Sequence, residues 1–240
     1  MHGWLRRGIK NERGVALIEF VIVFPVLFLL LFGGIELTRY ILIVQRLEKS
    51  AYVLTDIVGQ LNPATATGGT GQISDATLAT IFARYDVLMG NYANAADEAI
   101  IFTSVVHRDT PAPSANLIRW QRSGGGTMTT GVTSVVNGSG VPSSISHYAN
   151  GTCPVASFNT TINNFLNGGG GGAPITPNEN MIVGEFFYDY RPIAAALLGV
   201  STFALPAHVI HRTVFLHPRN GDLLDPDPAF FSTTGEDCAT

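Results

Sequence analysis

Glu19 is the one charged side chain between Val15 and Ile35, a run in which every other residue is apolar, Gly or Pro. A carboxylate in a hydrocarbon layer costs on the order of 2.5–3.5 kcal/mol on insertion scales, so its position needs a chemical reason. Other candidate groups fail on spacing. His107-Arg108-Asp109 copies the order of the kinase catalytic tripeptide, but no glycine-rich phosphate loop precedes it and no Asp-Phe-Gly follows; it reads as a loop. His208 and His211 fall on opposite faces of an extended strand. His211 and His217 share a face with Thr213 and Phe215 between them, a poor arrangement for ligating a metal. Gly-x-Ser-x-Gly, Walker and His-Glu-x-x-His patterns are missing from the sequence. These residues point away from an enzyme and away from a bound metal or cofactor.

The elements that hold Glu19 follow from charge and hydropathy. The chain has 240 residues and a formal net charge of −4. Residues 1–14 hold Arg6, Arg7, Lys10 and Arg13 against Glu12 alone, a local +3 that leaves −7 for the remainder. An acidic body argues against nucleic-acid binding, which needs a basic face. The apolar run of 21 residues from Val15 to Ile35 is long enough to cross a bilayer as a helix. Basic residues stay on the cytoplasmic side, so the reading is a single pass with residues 1–14 inside and the rest outside. No small-residue cleavage site of the secretory type follows the run. Tyr40, Ile43, Val44, Leu47, Ala51, Leu54 and Val58 continue at helical spacing. The predicted helix therefore spans 15–61, stopped by Asn62-Pro63 and a glycine run, with Pro25 set to kink it.

The stretch "RGVALIEFVIVFPVLFLLLFGGIEL" resembles the processing region of type IV prepilins, and within them the TadE/TadG-like pilus assembly proteins of the tight-adherence (Flp pilus) system. Those proteins read Gly, four small or apolar residues, Glu-Phe, and a proline about six residues later; Gly14, Glu19, Phe20 and Pro25 fit. The resemblance implies cleavage by a prepilin peptidase after Gly14, a new terminus at Val15, and Glu19 as fifth residue of the mature chain. The new ammonium and a neighbour's Glu19 would then neutralise one another, which is best satisfied in one axial register. It also implies a bacterial inner-membrane or pilus location, with other pilin-like subunits and a membrane assembly platform as partners. The metal-ion adhesion motif of larger relatives is missing, so the small TadE-like form is expected. The alternative is an uncleaved, membrane-anchored periplasmic binding or adhesion domain in which Glu19 is incidental.

Residues 62–240 are expected to form a periplasmic α+β domain with an antiparallel sheet and one or two short helices. "SDATLATIFARYDVLMGN" reads as a helix capped by Ser74, with Leu78, Ile81, Phe82, Tyr85, Leu88 and Met89 facing the core. "EAIIFTSVVHR", "NLIRWQRS", "NMIVGEFFYDYRPI" and "ALPAHVIHRTVFLHPR" read as strands. Residues 123–152 and 167–178 read as flexible loops, and "VASFNTTINNFLNG" as a short helix. Tyr188, Asp189, Tyr190, Arg191 and Pro192, then Pro218 and Arg219, extend the resemblance to two late strands. The first four are either a strand end covering the core or a contact for another subunit. In an oxidising compartment Cys153 and Cys238 would form one disulfide, worth roughly 4–5 kcal/mol at most by chain entropy, with two buried thiols as the alternative.

Overall fold

The structure, a computed structural model, describes residues 12–61, 72–73, 75–108, 115–136, 146–147, 180–193, 208–218 and 225–226. Helix α1 covers Glu12–Gln60 and α2 covers Asp75–Met89. The strands are β1 (Gln72–Ile73), β2 (Glu98–Arg108), β3 (Ala115–Gly124), β4 (Ser146–His147), β5 (Asn180–Tyr190), β6 (His208–Leu216) and β7 (Asp225–Pro226). The chain is α+β. One five-stranded antiparallel sheet has the order β4-β3-β2-β5-β6, and β1 pairs β7 in parallel. β2 covers the whole of the stretch "EAIIFTSVVHR" read as a strand, so His107 and Arg108 close it rather than standing in the loop that the tripeptide His107-Arg108-Asp109 suggests. Ser74, Cys153, Cys238, the 155–168 helix and most of the two predicted loops lie outside the described residues.

Two compact units are present: Met1–Leu42 with Arg191–Ala207, and Ile43–Tyr190 with His208–Thr240. In the larger unit, α1 buries Ile43, Leu47, Ala51, Leu54 and Val58, a stripe at three- and four-residue spacing. α2 buries Leu78, Ile81, Phe82, Tyr85 and Met89 as its sequence predicts, while Leu88, expected on the same face, is half-buried. Both helices meet the sheet face that carries Phe102 and Phe186. Phe82 stacks on Phe102 with ring centroids 5.4 Å apart, Phe102 meets Phe186 edge-on at 5.8 Å, and Tyr85 lies 6.1 Å from Phe186. At Gly184, directly opposite Phe102 in the ladder, α1 packs close to the sheet: a Cβ there would collide with Thr55 Oγ1. The Thr55 hydroxyl itself is satisfied by the Ala51 carbonyl at 2.7 Å.

The opposite sheet face is covered by residues 125–136. Met128 and Val132 pack with Ala99, Ile101 and Phe187, and Val136 packs with Val105, Ile118, Met181 and Val183. A β-bulge makes this two-sided burial possible. Ser104 pairs with Trp120 while the next residue, Val105, pairs with Ile118, so Arg119 is the extra residue of β3. Ile118 and Trp120 would share a face in a regular strand; across the bulge they point to opposite faces, and both are buried.

Candidate functional site

The residues singled out at the start of the chain all lie on one helix. α1 begins at Glu12, so Gly14 and Val15 sit in its first turn. The N–H groups of that turn have no acceptor inside the helix, so unwinding it costs less than unwinding a turn of the helix interior. Glu19 lies within the stretch whose apolar side chains are outward: Leu17, Ile18, Phe20, Val21, Ile22 and Val23 are each more than half exposed. Pro25 is inside the helix. From Leu17 onward α1 is long and apolar enough to cross a membrane, with no part of its most apolar window buried in the protein.

Two features of this helix are not evident from its hydropathy. Phe20, Phe24, Phe28 and Phe32 repeat every four residues and form a continuous ladder, with successive ring centroids 5.3, 5.9 and 4.2 Å apart. The signal is visible in the sequence, but in a run where nearly every residue is apolar a period of four carries little contrast.

The second feature lies where the apolar run stops. Glu36 is buried at 5% exposure. Its carboxylate accepts the Ile193 N–H at 3.1 Å and stands 3.8 Å from Arg39. Arg39 in turn donates to the Arg191 carbonyl at 2.8 Å. The chain leaving β5 is thus fastened to α1 by main-chain atoms on both sides of the buried Pro192. Glu36 and Ile193 are 157 residues apart, and no local pattern joins them.

Tyr188 and Tyr190 are buried in β5, which is paired on both sides by β2 and β6. Tyr188 donates to the Tyr92 carbonyl at 3.2 Å, and the Tyr190 ring lies 5.7 Å from His208. Asp189 is half-buried and Arg191 exposed.

Among the described residues three acids are buried in the larger unit, Asp97, Glu98 and Glu185. Glu185, on the face covered by residues 125–136, accepts from Ser134 Oγ at 2.5 Å and from the Val135 N–H at 2.7 Å. Gln121 extends this network by donating to Thr103 at 2.9 Å and to Ser134 at 3.2 Å. His211 Nε2 lies 3.4 Å from Glu185, and its ring stacks on Phe187 at 4.2 Å. The Glu185 carboxylate thus holds a serine hydroxyl and a main-chain amide of the covering segment, and fastens residues 134–135 to the sheet. Glu98, on the helix-covered face, accepts the Asn94 N–H at 3.1 Å, while its Oε2 and the Tyr85 hydroxyl have no hydrogen-bond partner among the described residues. Burial, reinforced by Asp86 and Asp97, pushes the Glu98 carboxyl up to about 7. Burial also raises the Tyr85 phenol, with Glu98 adding to it. Among the described residues no group of three His, Cys, Asp or Glu side chains could hold a metal ion.

Residues 14–53 match the model of the family described as TadE-like protein, in agreement with the resemblance to TadE/TadG-like pilus assembly proteins. No curated protein and no solved structure matches the chain.

Proposed function

We propose, from the TadE-like character of residues 14–53 as premise, that this chain is a minor pilin or pseudopilin acting in assembly of a Flp-type pilus. Its role is structural rather than catalytic. The observation that carries the reading is Glu19: one acid in the most apolar part of a helix that starts beside Gly14 and exposes its apolar side chains. In this reading α1 crosses the inner membrane once, with the basic leader in the cytoplasm and residues beyond Glu36 on the periplasmic side. A prepilin peptidase unwinds the first turn and cuts after Gly14. Val15 becomes the terminus, and its ammonium supplies the cation that Glu19 otherwise lacks in lipid. Phe20 and Pro25 contribute to recognition and helix shape, and Arg191 and Asp189 form part of a contact with another pilin-like subunit. Cys153 and Cys238 are joined as a disulfide outside the cytoplasm.

Mass spectrometry of the protein from its native membrane tests the reading. An N-terminus at Val15 supports it. An intact Met1 in cells with an active prepilin peptidase refutes it and leaves an uncleaved, membrane-anchored domain.

A further inference from the structure

The clamp at Glu36 sets a depth. Leu17 to Ile35 is an unbroken apolar helix apart from Glu19, and 19 residues rise about 28 Å, close to the thickness of a bilayer's hydrocarbon core. Glu36 is the first charged residue after that run, so it stands at the boundary between hydrocarbon and headgroups. There it is shielded by Ile193 N–H and Arg39. Both fastening contacts to the β5 exit use main-chain atoms, the carbonyl of Arg191 and the amide of Ile193. They fix where the chain lies and leave the Ile193 side chain outward, 42% exposed. An outward isoleucine is unfavourable in water and favourable at an acyl-chain boundary. The sequence that follows points the same way: residues 194–207 contain no charged side chain.

We propose that the Glu36–Arg39 clamp holds Ile193 against the bilayer beside the span, giving the protein a second contact with lipid. The partner is the acyl-chain boundary of the nearer leaflet. Glu36 and Arg39 act as positioning residues, and Ile193 is the contacting one. The inference rests on the reading that α1 crosses the membrane.

Full-length protein reconstituted in nanodiscs whose phospholipids carry a diazirine on the acyl chain provides the test. Photolysis and peptide mass spectrometry should find lipid adducts in 17–35 and on the peptide containing Ile193. Ile193→Asp keeps the main-chain clamp and should lower adducts at that peptide about tenfold relative to the span, equivalent to about 1.4 kcal/mol. The Glu36→Ala, Arg39→Ala double variant should lower them likewise while leaving span labelling unchanged. Adducts in the span with none at residue 193 overturn the inference, and so does full labelling of residue 193 in the clamp variant. An unlabelled span would instead overturn the membrane reading on which it rests.

Discussion

Glu98→Gln should make the larger unit more stable at alkaline pH and nearly unchanged at acid pH. The Glu98 carboxyl is raised from its ordinary 4.5 to about 7, chiefly by burial. At roughly 1.4 kcal/mol per tenfold, that difference disfavours the ionised form in the folded state by about 3 kcal/mol. The unfolded chain gives up this proton near 4.5 and the folded chain only near 7. Stability therefore falls as pH rises through that window and levels off above it. Glutamine keeps an oxygen to accept the Asn94 N–H and cannot ionise. The variant's advantage should grow from near zero at pH 4 to about 3 kcal/mol at pH 8, or about 6–12 °C in melting temperature for a chain of this size. This is a ceiling, because opening the turns around Asn94 would hydrate Glu98 without unfolding the sheet. Thermal unfolding of the full chain in detergent, read by tryptophan fluorescence with Trp120 buried, gives the measurement. Parallel curves for the two proteins between pH 5 and 8 would refute the burial-driven ionisation.

Other consequences of the packing can be checked separately. Gly184→Ala places a methyl on Thr55 Oγ1 and should cost about 1–3 kcal/mol; if the collision is the cause, Thr55→Ala in the same chain should recover part of it in a double-mutant cycle. Glu185→Ala leaves the Val135 N–H and Ser134 hydroxyl without their acceptor and should cost about 2–4 kcal/mol, with faster amide exchange at Val135. Under the proposed function, Glu19→Ala should leave processing after Gly14 largely intact and impair pilus assembly; normal pili in that mutant would remove the register role.

Helices α1 and α2 and the four long strands β2, β3, β5 and β6 are readable because each is a run of β-branched, aromatic or periodically apolar residues, whereas the two-residue strands β1, β4 and β7 have no such pattern. Asn62-Pro63 stands just past the end of α1, and Pro192 two residues beyond β5. The connections between elements were not readable. The bulge at Arg119 is set by pairing with β2, so nothing in "NLIRWQRS" announces that Ile118 and Trp120 face opposite ways. Glu185 interrupts the run Met181–Phe187, and its partners lie in residues 134–135, in a stretch whose mixture of Gly, Ser, Thr and Val has no period. Gly14, Glu19, Phe20 and Pro25 could be picked out because their spacing is local. Glu36 could not, because its meaning comes from an amide 157 residues later.

The place of Val15 in the first turn of α1 bears on what Glu19 does before any neighbour arrives. Four residues separate the two, so on a helix they are stacked one turn apart, about 5–6 Å between Cβ atoms. Under the proposed processing, the new ammonium would oppose the helix macrodipole, and its own Glu19 would relieve it. A free subunit would then carry its ion pair already closed. Joining a neighbour would swap that pair for an equivalent one between chains, a near-even exchange that runs in either direction. The drive to associate would come from the outward apolar surface of the helix, and the charge would decide only where two sliding helices come to rest.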